Sequence, residues 1–170
     1  MLQLFLLRHA KSDWTAGAKD DHSRPLNSRG IKAALRVGSF MQENKLLPDR
    51  ILCSTAKRTR QTAELLTETW PGKYPITVSR KLYLAGAESF VEVIRKRGGA
   101  NKRLLVIGHN PDITDVALAA LRKGRKKARQ EIGKFPTGSL ACLTFPSDAW
   151  RDIEPGTATF VAFITPKQIV

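Results

Sequence analysis

Cysteine is scarce in this chain, with Cys53 and Cys142 the only two in 170 residues. That excludes a disulfide framework. With no C-x-x-C pair and no cluster of histidines and cysteines, a structural zinc site is not expected either. Both thiols fall in apolar, strand-like runs and read as small core residues of a reducing compartment, with a single bridge as the alternative. Long apolar runs are missing too. The run Leu2 to Leu7 is short, no basic region precedes it, and Arg8 and His9 end it, so it does not read as a signal peptide. No stretch approaches the ~20 apolar residues of a membrane span. A cytoplasmic protein without membrane contact is therefore expected.

Acidic residues are outnumbered, 15 against 29 basic ones, for a net charge of +14. Such a field attracts anions: nucleic acid, acidic proteins or phosphorylated ligands. Aromatic residues make up only 7% of the chain, and it holds no nucleic-acid motif, so a stacking surface for bases is not expected. A basic nucleic-acid-binding protein is the remote reading. Much of the charge is local, in Arg122, Lys123, Arg125, Lys126, Lys127, Arg129 and Lys134. That segment reads as a solvated, mobile loop, or else as a surface that steers an acidic partner.

The length suits one domain, 1–170, able to bury roughly 70% of the surface of its unfolded chain. It needs no disulfide, metal or cofactor to fold. Short apolar runs at 2–7, 50–53, 76–78, 103–107, 139–145 and 159–164 read as strands. Helical spacing separates most of them. Asn27 fits the N-cap of a helix to about Asn44, with Ile31, Ala34, Leu35, Gly38 and Met41 inward. Ser54 fits the cap of a helix to about Thr69, and Glu88 to Arg97 forms another, stopped by Gly98-Gly99. Asn110 and Pro111 fit the cap and first position of a helix running towards Gly124. Strands alternating with helices predict a mostly parallel sheet covered on both faces, a three-layer α/β/α arrangement.

Polar residues stand where three of these strands end. The first gives Arg8 and His9, the second leads to Arg58, and the fourth gives Gly108, His109 and Asn110. In a parallel sheet those ends lie along one edge, where open α/β folds keep their ligand crevices. Guanidinium forks grip phosphate oxygens, and a neutral imidazole can attack phosphorus. Arg58 adds a clue, because a cation in a first helical turn opposes the macrodipole by ~0.3–1 kcal/mol and needs an anion nearby. A bound phosphate would supply it; the plainer alternative leaves Arg58 pointing into water. His109 has a plain alternative as well, a histidine merely tolerated in a capped turn. The common placement favours a phosphoryl-transfer site.

The chain resembles the histidine phosphatase superfamily, also called phosphoglycerate mutase-like, and within it the small SixA-type phosphohistidine phosphatases. The likeness rests on Leu7-Arg8-His9-Ala10, Arg24-Pro25-Leu26-Asn27-Ser28-Arg29-Gly30, Ser54-Thr55-Ala56-Lys57-Arg58-Thr59-Arg60-Gln61-Thr62-Ala63, Gly108-His109-Asn110-Pro111 and Phe135-Pro136-Thr137-Gly138-Ser139. The resemblance implies the corresponding fold and a metal-independent phosphatase. His9 would become a phosphohistidine, and Arg8, Arg58, His109 and Asn110 would hold the phosphate.

Many members of the superfamily use a glutamate after the third strand as general acid. Here Leu82 to Gly86 contains no carboxylate; Glu88 and Asp13 are the candidates, with Asp21 and Asp112 behind them. A missing acid handicaps ester cleavage more than cleavage of a labile P–N bond. The expected substrate is thus phosphohistidine on a histidine phosphotransfer domain, with a sugar or nucleotide phosphate ester as the alternative. A monomer is expected.

Overall fold

The computed structural model of the protein describes residues 1–15 and 17–169. Strand β1 (Leu2–Arg8) runs through the middle of a sheet and is buried almost throughout, as its near-continuous apolar run requires. It pairs in parallel with β4 (Arg103–Gly108) and antiparallel with β5 (Leu140–Phe145). With β2 (Arg50–Ser54), β3 (Ile76–Ser79) and β6 (Thr159–Ile164), the order is β3-β2-β4-β1-β5-β6. Only β5 runs against the other five.

Alternation along the strands sends side chains into two layers. Leu4, Leu6, Leu104 and Val106 pack towards α3 (Ala87–Arg97), α4 (Asp112–Ala120) and α5 (Lys126–Lys134). Phe5, Leu7, Ile51 and Ile107 pack towards α1 (Ser28–Glu43) and α2 (Lys57–Glu68). Each fully buried aliphatic chain contributes about 1.5–3 kcal/mol, so the sandwich needs no cross-link. Cys53 and Cys142 are free and buried, which removes the bridge alternative. Burial pushes both thiols up to about 12. The expected three-layer α/β/α architecture with a mostly parallel sheet is the one observed.

Some local expectations need correction. Asn27 does cap α1, its Oδ1 accepting from Gly30 N at 2.8 Å, but the buried face is Gly30, Ala34, Val37, Gly38 and Met41, with Ile31 exposed. Ser54 is not the cap of α2. Ala56 holds that position without a side-chain bond, and Ser54 faces His109 instead. Asn110 does not cap α4 either: the helix begins at Asp112, after a cis Asn110–Pro111 bond, and Asn110 Oδ1 accepts from Thr114 Oγ1 at 2.6 Å. The basic segment 122–134 is largely a helix, not a loop. Ala128 and Ile132 anchor α5 to the core, and Arg129 donates to the carbonyls of Leu118, Leu121, Arg122 and Gly124.

The sheet brings β1 and β4 to a common end, with Arg8 opposite Gly108. His9 N then donates to the Gly108 carbonyl at 3.1 Å. A Cβ on Gly108 would stand 2.7 Å from Phe90 Cε2, so glycine is what lets this strand end approach α3.

Candidate active site

A cavity of about 420 Å³ opens at the carboxyl ends of β1, β2 and β4, lined by Arg8, His9, Arg24, Arg58, His109 and Asn110 among others. Four of the residues expected to bind phosphate thus meet His9 there. Lys11 is a fourth cation beside Arg8, Arg24 and Arg58, while Asp21 is the only carboxylate lining it among the described residues. The net charge suits an anion.

His9 is held by its own backbone neighbour. Its Nδ1 lies 2.7 Å from the Ala10 carbonyl, which can only accept, so Nδ1 carries the hydrogen and Nε2 keeps its lone pair. Arg58 Nε donates to that Nε2 at 3.4 Å. The Ala10 amide in turn donates to Thr62 Oγ1 at 3.1 Å, and Thr62 donates to the Arg58 carbonyl at 2.7 Å. One hydroxyl on α2 therefore ties the loop bearing His9 to the helix turn bearing Arg58. His109 stacks at a tilt beside His9, with ring centroids 5.2 Å apart. Its Nε2 pairs with Ser54 Oγ at 2.8 Å, and its Nδ1 is buried with no partner among the described residues.

Arg8 donates from Nη1 to the Phe135 carbonyl at 3.0 Å, and Asn110 Nδ2 donates to the same oxygen at 3.3 Å. Arg8 Nε is buried with no partner among the described residues. Gly138 N reaches back to the carbonyls of Arg8 and His9, fixing the end of β1 from the β5 side. Arg58 is buried rather than turned to water. It donates to the Asp21 carbonyl at 2.7 Å and pairs with the Asp21 carboxylate at 3.0 Å. The anion that offsets the helix dipole is therefore Asp21. A charged hydrogen bond of about 1.5–3 kcal/mol, taken at its lower end because Asp21 is half-exposed, still outweighs a dipole cost of ~0.3–1 kcal/mol.

The model of the histidine phosphatase superfamily (branch 1) matches residues 4–85, which carry Arg8, His9, Asp21, Arg24 and Arg58. The chain is 27% identical to a solved protein of Agrobacterium tumefaciens provisionally named phosphohistidine phosphatase SixA, with a TM-score of 0.81 over 97% of this chain and 98% of that one. A similarly named protein of Nakamurella multipartitia is 26% identical, with a TM-score of 0.85 over 97% and 96%. An uncharacterized protein of Mycobacterium tuberculosis H37Rv is 37% identical over 164 residues, 95% of this chain and 100% of the relative. The chain belongs to the histidine phosphatase superfamily.

Within that superfamily it is of SixA type, and its carboxylates separate in an informative way. Glu88 lies at the start of α3 and lines a different, largely apolar cavity with Leu4, Val91, Ile94 and Phe145. Asp13 accepts from the amide and hydroxyl of Thr15 and does not line the histidine cavity. Asp112 is buried, accepting from Gly86 N at 3.0 Å. Asp21 alone reaches the site. Partial burial pulls its carboxyl up, but Tyr83, Arg58 and Arg24 outweigh that and hold it well below the usual carboxylate range. It is an ion-pair partner and is not poised to give up a proton.

Sequence reasoning missed the frame around the arginines. Tyr83 donates to Asp21 Oδ2 at 2.6 Å, and Arg24 binds Asp21 through Nε and Nη2 and Ser12 through Nη1. Arg24 also lies 3.5 Å beneath the ring of the exposed Trp14 at the cavity mouth. The Arg24-Pro25 segment carried part of the family likeness but showed no periodicity to reveal its pairing.

Burial lowers His9 to about 3, assisted by Arg58, Arg8 and Arg24 against the Ala10 bond, so desolvation leads and positive charge follows. His109 falls to about 3 for the same first reason, with His9 and Arg58 adding to it. Both are neutral in the folded protein at pH 7. An unfolded chain binds protons on both below pH 6.5, so stability is full above that pH and is lost as pH falls from about 6.5 towards about 3. The slope is at most about 1.4 kcal/mol per pH unit for each histidine. Urea midpoints measured from pH 7 to pH 4.5 should fall for the native chain and fall much less for a His9→Gln/His109→Gln variant. Parallel curves would contradict the assignment.

Proposed function

We propose that the protein is a metal-independent phosphatase that works through a phosphohistidine intermediate on His9. Its substrate is phosphohistidine on a signalling phosphotransfer protein. In the first step His9 Nε2 attacks phosphorus as the bond to the leaving nitrogen breaks, that nitrogen keeping the electron pair. Water then attacks the phosphoryl group on His9, releasing inorganic phosphate and restoring the neutral imidazole. Arg8, Arg58, His109 and Asn110 hold the phosphoryl oxygens. The Nε–H of Arg8 and the Nδ1 of His109, both without a partner among the described residues, supply donors once the Ser54 hydroxyl donates to His109 Nε2. Phosphoryl transfer asks mainly for positioning and charge stabilisation, which fixed cations provide.

The observation that carries the choice of substrate is the state of Asp21. Among the described residues the one carboxylate at the cavity is ion-paired and held ionised, so none of their side chains stands ready as an acid for an alkoxide leaving group. An imidazole leaves readily once solvent has protonated it. The test pairs a phosphohistidine-bearing phosphotransfer domain with a panel of sugar and nucleotide phosphates. The domain should lose phosphate at least about 100-fold faster, in kcat/KM, than any ester, in line with the 10²–10⁴-fold worth of a general acid. Fast turnover of one ester with the domain untouched would make the protein a metabolite phosphatase.

A further inference from the structure

A second cavity, of about 620 Å³, adjoins the first and shares Lys11 and Thr137 with it. Arg29, Lys32, Arg36 and Lys167 line it as well, and among the described residues no carboxylate does. Those four and Lys11 are all exposed, and among the described residues none of the five forms an ion pair. Basic surface residues usually find an acidic neighbour or disperse; these converge beside the catalytic cavity. Arg29, Lys32 and Arg36 lie at i, i+3 and i+7 on α1, so they share one helical face. At 1.5 Å per residue the ladder is about 10 Å long.

We propose that this groove docks acidic side chains of the phosphorylated polypeptide, next to the residue whose phosphate enters the site. The inference rests on the phosphohistidine reading above and adds a recognition rule to it: acidic residues flank the phosphohistidine. Length selects the occupant. A small bisphosphate with one phosphate at His9 reaches the near end of the groove at Lys11, while a row of cations extending about 10 Å further along a helix matches several carboxylates on a peptide chain. Charge complementarity of this kind raises association rates and weakens with salt.

The test uses two synthetic phosphohistidine peptides identical except for four glutamates or four glutamines on either side. At low ionic strength the acidic peptide should be turned over with a kcat/KM about 10-fold or more above the neutral one, through KM and the association rate. The advantage should vanish in an Arg29→Gln/Lys32→Gln/Arg36→Gln variant, whose turnover of the phosphoramidate ion stays native. Fluorescence anisotropy of the labelled, unphosphorylated acidic peptide gives a second readout, with binding expected to the native chain and lost in the triple variant.

Equal turnover of both peptides by the native chain overturns the docking and leaves the phosphohistidine reading intact. Binding that depends on the three cations, with neither peptide turned over, overturns that reading and supports the docking. A triple variant that keeps its preference for the acidic peptide but shows a raised KM for a sugar bisphosphate assigns the groove to small molecules, and the proposal fails.

Discussion

Replacing His9 by alanine should lower turnover of a phosphohistidine substrate by roughly 10⁴-fold or more, the scale seen when a covalent nucleophile is removed. The size follows from the geometry. His9 Nε2 is the one imidazole nitrogen whose lone pair faces the arginine cluster with its tautomer fixed by a backbone carbonyl. With Ser54 Oγ donating to its Nε2, His109 carries its hydrogen on Nδ1 and has no free lone pair with which to take over. Arg8, Arg24 and Arg58 remain in the variant, so orthovanadate should still bind and quench the fluorescence of Trp14 at the cavity mouth. Single-turnover kinetics give the rate and fluorescence titration gives the binding. Activity within tenfold of native, with vanadate still bound, would remove His9 from the nucleophile's role.

Arg58→Ala should cost about 10²–10³-fold in kcat, the usual effect of deleting one preorganised donor at a transition-state oxyanion. Arg58 is committed at three points: Nε to His9, Nη1 to the Asp21 carbonyl, and Nη2 to the Asp21 carboxylate. This fixes the plane of the guanidinium beside His9 before any phosphate arrives. Lysine has a point charge and no fork, so Arg58→Lys should recover only a small part of the loss. A rise in KM with kcat unchanged would mean that Arg58 binds substrate and transition state equally, and its proposed part in the chemistry would be wrong. Steady-state kinetics on one phosphohistidine peptide separate these cases.

The strands were readable because each is a short apolar run cut off by polar residues, and β1 and β4 showed this most sharply. His9, Arg58 and His109 could be grouped from sequence because parallel topology brings strand ends together. Ser54 was misread for a reason that belongs to tertiary structure. A serine between a strand and a helix has the sequence pattern of a cap, and only its bond to His109, 55 residues away, reveals its task. The segment 122–134 misled through charge density. Its buried stripe is only Ala128 and Ile132, too narrow to stand out among so many lysines and arginines.

Asp21 was one of four ambiguous carboxylates in the sequence. Its place as the ion-pair partner of Arg58 and Arg24 depends on a turn-rich loop with no periodic signal. Glu88 lay near the expected stretch along the chain, yet α3 carries it to another cavity. Proximity in sequence was a poor guide wherever a loop set the direction.

The most direct measurement is to trap the phosphoryl group. The native chain would be mixed with excess phosphohistidine peptide and quenched in base within the first turnover, since phosphohistidine survives base but not acid. Peptide mapping by mass spectrometry then locates the group. One phosphoryl group is expected on His9, appearing before inorganic phosphate, decaying as phosphate is released and absent from the His9→Ala protein. Phosphate released without any protein-bound intermediate, or a phosphoryl group found on His109, would contradict it.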